Sequence, residues 1–315
     1  MISETVNYER SFHVEHPEME TIEQCPVCSC ESLGRTTNVT DHSISGKSFS
    51  IVECGACQFA FTSPRPDQQH IGVFYQSDTY ISHTNSNKTW RDKIYQLSRQ
   101  WMVRRKHKAI HKYHPHGQLL DIGCGTGDFL AHQMSRGYLV TGVEPNLTAR
   151  ESAIAAHAIP VFPQIDLVPA LEQFQVVTMW HVLEHVPEIR STLKQVFARL
   201  ADRGIFVIAV PDRESWDAKH YGPFWAAYDV PRHFWHFRQQ DLFRLLKEHG
   251  FELVTTRRMW LDAFYIAMLS ESYKGGNRLI GLVRAFAVGA WSNIVATFTR
   301  APTSSTMYVV RKSKP

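Results

Sequence analysis

The sequence predicts a doubly wound α/β fold with a small cysteine-built module ahead of it. Three observations carry this. From residue 117 onward, short apolar runs alternate with helical ones, the pattern of a mostly parallel sheet covered on both faces. One strand-to-helix junction, LLDIGCGTGDFL (119–130), holds three glycines at alternate positions. Two Cys-x-x-Cys pairs stand upstream of all of it.

The N-terminal residues 1–20 are polar and acidic and hold no apolar run, so a cytoplasmic protein with reduced thiols is expected. With 43% hydrophobic and 20% charged residues, the 315-residue chain suits a packed globular fold rather than a disordered one. Its net charge of +4 is too small to argue for nucleic acid by itself. Residues 1–66 read as the cysteine module. Cys25 and Cys28 in CPVC, with Cys54 and Cys57 in CGAC, leave 25 residues between the pairs. Each pair can present two thiolates from one tight turn, and together they complete a tetrahedral Zn²⁺ site with room for a hairpin between them. A redox-active CxxC is disfavoured, because no thioredoxin-like βαβ pattern surrounds either pair.

Residues 67–114 form a linker. Trp90, Ile94, Leu97, Trp101 and Ile110 recur at roughly helical spacing, which predicts an amphipathic helix over about 86–114. Its basic run, Arg104 to Lys108, reads as a solvated face. Residues 115–315 then supply strands at 118–123, 139–144, 174–180, 205–210 and 251–258, with helical segments between them. A mainly helical insert is expected over 262–300, and MYVVRK (307–312) returns as a closing strand. The insert's segment LIGLVRAFAVGAWSNIVATF has about the length of a membrane span but carries Arg284, Ser292 and Asn293. These are costly in lipid, so a buried or surface-lying helix is expected, with peripheral membrane contact left open.

The glycine loop is the most informative stretch. Gly123, Gly125 and Gly127 follow an apolar strand ending at Asp121, and a helix starts near Asp128. Alternate glycines allow a tight turn and leave room for a ligand against the backbone. Glu144 ends the next strand, 21 residues past Gly123, where a carboxylate can accept both hydroxyls of a ribose. The spacing is G-x-G-x-G, not the dinucleotide G-x-G-x-x-G, and Asp128 puts negative charge where a pyrophosphate would lie. A cofactor with a cationic end fits better.

These residues resemble the first two motifs of the class I S-adenosylmethionine-dependent methyltransferases, over about residues 115–258 plus the closing strand. The resemblance implies a seven-stranded, mostly parallel, Rossmann-like sheet and S-adenosylmethionine as cofactor. It implies that Asp121, Gly123, Cys124, Gly125 and Gly127 line the methionine end and that Glu144 holds the ribose. Relatives often have an acid in FDVI opening the fourth strand, where FQVV puts Gln175. Adenine recognition is therefore expected from the loop around Gln164 and Ile165.

HVLEH (181–185) is formally the inverted-zincin pattern H-x-x-E-H. It follows the fourth strand directly, so it hangs over the ligand-binding edge of the sheet, and Pro187 limits any helix through it. His181 is thus expected beside the cofactor. The stretch also resembles the E-x-x-E-H segment of ubiquinone-pathway O-methyltransferases and small-RNA 2′-O-methyltransferases, in which two acids and a histidine can hold a divalent metal. Here His181 replaces the first acid, and His233 could serve as a further ligand. The favoured expectation is a metal-free pocket, with His181, His185 and His233 as candidate proton-transfer groups at neutral pH.

After the fifth strand, Tyr221, Trp225, Asp229 and Arg232 crowd into an aromatic loop and, with Glu184, are expected to wall a small-molecule pocket. This loop resembles D-x-P-R-H-x-x-x-F segments of bacterial methyltransferases associated with surface polysaccharides. The cysteine module is similar to one preceding the catalytic domain of sugar C-methyltransferases. The acceptor is accordingly expected to be a small molecule, a sugar or cell-surface polysaccharide precursor. The alternatives are an RNA methyltransferase using the ribbon and basic helix, and a cofactor-binding scaffold without activity. Nucleic acid is the less favoured partner, because the fourth strand does not end in an N/D-P-P-Y/F signature.

Overall fold

The computed structural model describes residues 18–75 and 90–313. The acidic segment 1–17 and the side chains of Trp90, Ile94 and Leu97 lie outside the described residues.

The cysteine module contains β1 (Leu33–Thr40), β2 (Ser48–Cys54) and β3 (Ala60–Thr62). The linker helix α1 spans Trp90–His111. The large sheet and its helices follow in turn: β4 (Gly117–Ile122), α2 (Asp128–Met134), β5 (Tyr138–Val143), α3 (Leu147–His157), β6 (Val161–Phe162) and β7 (Phe174–Trp180). Next come α4 (Ile189–Arg199), β8 (Leu200–Pro211), α5 (Trp216–Tyr221), β9 (Trp235–His236), α6 (Gln239–Glu248) and β10 (Phe251–Arg258). The chain closes with α7 (Asp262–Lys274), α8 (Arg278–Thr299) and β11 (Ser305–Lys312).

The seven-stranded sheet runs in the order β10-β11-β8-β7-β4-β5-β6. β4 pairs in parallel with both β5 and β7, so the strand order reverses at β4. β11 is antiparallel to β8 and β10 and lies between them. The central strands are near-continuous apolar runs because both faces are covered. One face carries Leu120, Ile122, Val177, Met179, Phe206 and Ile208; the other carries Leu119, Val176, Val207 and Val309.

The cysteine module is not a separate bead. β9, from the loop after β8, pairs antiparallel with β3 and completes a four-stranded sheet in the order β9-β3-β2-β1. Phe59 and Phe61 share one core with Trp235, Phe237 and the large sheet. Arg190 donates to the carbonyls of Pro26 (2.6 Å) and Val27 (3.0 Å), tying α4 to the first cysteine turn.

Candidate functional site

The glycine loop crosses the end of β5. The amides of Gly123 and Cys124 both donate to Val143 O (2.7 and 3.1 Å). Gly123 has φ +73°, and a Cβ there would lie 2.4 Å from Val182 Cγ2, so the HVLEH segment presses directly on the loop. Gly125 has φ +55° and faces open space, which leaves its backbone bare to a ligand. Gly127, φ +79°, lies where a Cβ would meet Ala153 of α3 at 3.0 Å. The third glycine therefore serves close helix packing despite the changed spacing.

Glu144 is held rather than dangling. Its Oε2 accepts from Gly125 N (2.8 Å) and its Oε1 from Asn146 N (2.9 Å), so one carboxylate couples the loop to the end of β5. The oxygens retain lone pairs for ribose hydroxyls. Asp121 is buried at the end of β4 and accepts from Thr178 Oγ1 at 2.5 Å. Burial pushes its carboxyl up to about 7, against the pull of Thr178 and the Lys106 ammonium. Burial also pushes the Cys124 thiol up, which removes it as a nucleophile. Gln164 is exposed and Ile165 buried just past β6, the edge expected for adenine. Gln175 calls for a correction. It lies at the opposite, N-terminal end of β7, where its Oε1 accepts from Gln118 N at 2.7 Å. Its departure from the acid therefore has no bearing on adenine.

At the end of β7 the chain turns sharply, and His181 adopts φ +58°, a conformation uncommon outside glycine. Leu183–His185 form only a 3₁₀ turn. The two histidines of H-x-x-E-H are therefore not stacked on one α-helix, which excludes the zincin arrangement. His181 Nε2 lies 3.1 Å from Asp262 Oδ2 on α7, and Nδ1 lies 3.4 Å from Glu184 Oε1. Burial would lower its pKa, yet the two carboxylates outweigh this and raise it to about 9. A protonated imidazole is a poor base at neutral pH, so the two carboxylates around His181 weigh against that role for it.

The structure brings together Glu184, His185 and His233, whose donor atoms lie within 4.8 Å of one another. Glu184 is fully buried; His181 Nδ1 faces its Oε1 at 3.4 Å, and no closer donor reaches either oxygen among the described residues. His185 Nδ1 lies 3.0 Å from Arg232 O and 2.9 Å from the Tyr75 hydroxyl; His233 Nδ1 lies 2.9 Å from Ala227 O. A carbonyl can only accept, so these Nδ1 atoms carry the protons and each Nε2 keeps a lone pair. Burial, followed by the neighbouring His233, lowers the His185 pKa to about 4. Three acceptors thus share one enclosed space.

The other expected pocket residues have different occupations. Tyr221 and Trp225 are buried under the α7–α8 hairpin, with Trp225 Nε1 donating to Asp217 (2.8 Å). Arg232 is enclosed, donating to Asp41 Oδ1 (2.9 Å), to both oxygens of Asp229 (2.6 and 3.0 Å) and to Phe74 O (3.0 Å). Trp225, Asp229 and Arg232 line a small pocket with Asp41, His42 and Tyr273, and the same contacts clamp the loop to the hairpin and the cysteine module, which fixes His233.

Two further residues stand near the site: Asp262, and Lys106, which turns inward although Arg104, Arg105 and Lys108 are exposed as expected of a solvated face. Lys106 reaches in from α1, its Nζ 4.6 Å from the Trp180 ring centre. With Trp101, Trp180, Trp260 and Asp262 it lines a cavity of about 90 Å³. Its signal was the helical spacing Met102, Lys106, Ala109, Ile110, which puts a lysine within an apolar stripe. Asp262 had no signal, since an acid opening a helix is commonplace.

The four cysteine sulfurs also converge, all within 4.8 Å. Cys25 Sγ and Cys57 Sγ are 3.5 Å apart, as are Cys28 Sγ and Cys54 Sγ. Cys30 stays outside, accepting from Ser32 N.

A glycine loop at the point of strand reversal, an acid on the neighbouring strand and an antiparallel strand between β8 and β10 define the class I S-adenosylmethionine-dependent methyltransferase architecture. A family described as "Methyltransferase domain" matches residues 90–256, and the chain belongs to it. The ubiquinone biosynthesis O-methyltransferase of Paramagnetospirillum magneticum is 29% identical over 159 residues, 46% of this chain and 62% of that protein. The Bradyrhizobium diazoefficiens protein of the same name is 35% identical over 107 residues, 30% of this chain and 40% of that one. The chain thus matches less than two thirds of the length of these relatives. In fold, magnesium protoporphyrin IX methyltransferase from Synechocystis PCC 6803 with bound SAH is similar with a TM-score of 0.52 at 12% identity, covering 78% of this chain and 100% of that one.

Proposed function

We propose that the protein transfers a methyl group from S-adenosylmethionine to a hydroxyl of a small molecule, and that a structural Zn²⁺ sits in the four-cysteine cluster. The observation that carries the first reading is the bare Gly125 backbone pinned to Glu144, a cradle that any side chain at residue 125 would invade. When bound, S-adenosylmethionine supplies a methyl group on a positively charged sulfur. The chain's part is to hold and align: Gly123–Gly127 give backbone contact, Glu144 accepts the ribose hydroxyls, and the edge at Gln164 and Ile165 meets the adenine. Positioning of this kind supplies much of the rate in a displacement reaction. One of His185 and His233 takes the single proton released by the acceptor hydroxyl, through the Nε2 left open by its Nδ1–carbonyl bond.

For the acceptor, the relatives named above support O-methylation of an intermediate of ubiquinone biosynthesis. The resemblance of the 229–237 loop supports a sugar or a cell-surface polysaccharide precursor. A transfer assay with methyl-labelled S-adenosylmethionine against nucleotide sugars and small phenols separates the two. Label in neither set, under conditions where the cofactor binds, would favour the scaffold reading.

One observation favours a second reading of the histidines. Glu184, His185 and His233 bring two imidazoles and a buried carboxylate, the latter also facing His181 at 3.4 Å, to within 4.8 Å of one another, a spacing at which one cation could be held by all three. Two histidines and one carboxylate, with both Nδ1–H groups oriented by carbonyls, suit a divalent metal ion. Activity lost to a mild chelator and restored by Mg²⁺, Mn²⁺ or Zn²⁺ would select this reading over proton transfer.

A further inference from the structure

The α7–α8 hairpin inverts the usual order of a surface helix. In α8 the residues turned inward are small: Ala285, Gly289, Ser292 and Ala296, at i, i+4, i+7 and i+11. A Cβ on Gly289 would lie 3.1 Å from Phe264 N, so α7 and α8 touch nearly backbone to backbone. The large apolar side chains point outward, with Leu279 75%, Val283 71%, Phe286 69% and Phe298 83% exposed, joined by Trp291 and Ile294. Exposed apolar faces of this extent mark interaction surfaces.

The charge around this face identifies its partner. Residues 262–300 contain two carboxylates, and both turn inward: Asp262 to His181, and Glu271 into the hairpin's core. All four cations, Lys274, Arg278, Arg284 and Arg300, are exposed. A second copy seated on this face would bring like charges together with no acid to receive them. An anionic lipid surface is complementary to both the apolar arc and its cations. The helix is long and apolar enough to span a bilayer, but it is bound into the fold. Ser292 Oγ donates to buried Asp217 (2.8 Å), and Asn293 Nδ2 donates to Trp260 O (2.9 Å).

We propose that α8 lies in the plane of an anionic membrane, its outward apolar arc in the headgroup–acyl boundary and its cations on the lipid phosphates. The inference is independent of the acceptor, because its readout is lipid binding. The test is flotation of the full chain with vesicles of phosphatidylcholine alone or with a third phosphatidylglycerol, at low and high salt. Flotation only with the anionic vesicles, weakened by salt, is expected. Phe286→Glu/Phe298→Glu and Arg278→Glu/Arg284→Glu should each weaken binding by about ten-fold or more. Unchanged thermal unfolding would verify their fold. No flotation of the wild type, or equal flotation of folded variants, overturns the proposal. So does a wild-type dimer that binds no vesicle and becomes monomeric in Phe286→Glu/Phe298→Glu, since that identifies a second copy as the occupant.

Discussion

Arg232→Ala should be among the most damaging single changes outside the cofactor loop. Arg232 is buried between Asp41 of the cysteine module, itself 2% exposed, and Asp229 of its own loop. Removing one partner of a buried ion pair leaves an uncompensated charge, which costs about 3–5 kcal/mol. Two features place the loss near the lower end. Asp41 keeps hydrogen bonds from Ser43 N, Ile44 N, Ser45 N and Ser45 Oγ, and Asp229 retains a partly exposed side chain. A loss of about 3 kcal/mol is therefore expected in urea unfolding at neutral pH. The pH dependence adds a check. Burial alone would raise the Asp41 pKa, but Arg232 and Ser45 hold it below 3.8, so its contribution is present above that pH and fades as pH falls below it. The acid-side loss should shrink in the variant. Arg232→Lys should recover little, because an ammonium cannot reproduce the forked contact. A loss below about 1 kcal/mol with unchanged acid behaviour would refute the clamp.

Three further outcomes follow from the same geometry. Purified protein should carry zinc on its four cysteines. Because β9 belongs to both parts of the molecule, Cys54→Ser should release the metal and also loosen residues 229–237 in hydrogen exchange; protection there that survives zinc loss would contradict this. Glu184→Ala should abolish any metal equivalent beyond the cysteine-bound one, as read by elemental analysis, and His233→Ala should lower turnover by about 10²–10⁴ if that imidazole takes the acceptor proton. Asp212 is buried at the end of β8, and burial raises its pKa to about 7. It costs stability progressively as pH rises from about 4 to 7, by up to about 4 kcal/mol, and Asp212→Asn should flatten that slope.

What the sequence made legible is what local chemistry decides. Alternate glycines after an apolar strand, Glu144 one strand later and HVLEH at the end of β7 all lie where the pattern put them, and Pro187 did limit the helix through HVLEH. The helical insert and closing strand also follow the apolar rhythm. What was illegible is long-range. β9 is two residues long and earns its place only by pairing with Ala60 and Phe61. That Arg232 is shared between Asp229 and Asp41, far back in the chain, has no local signature. The pairing of His181 with Asp262 depends on where α7 docks, which no local pattern encodes.

The central claim is the cofactor, and titration calorimetry tests it most directly. S-adenosylmethionine should bind the full chain at one per chain in the micromolar range, roughly −8 kcal/mol. Gly125→Val should abolish the heat, since a β-branched residue strains the φ of +55° and fills the open cradle. Glu144→Ala should cost about 1.5–3 kcal/mol by losing the ribose contacts and the tie to Gly125 N. No heat with S-adenosylmethionine, or heat with NAD in its place, would contradict the account.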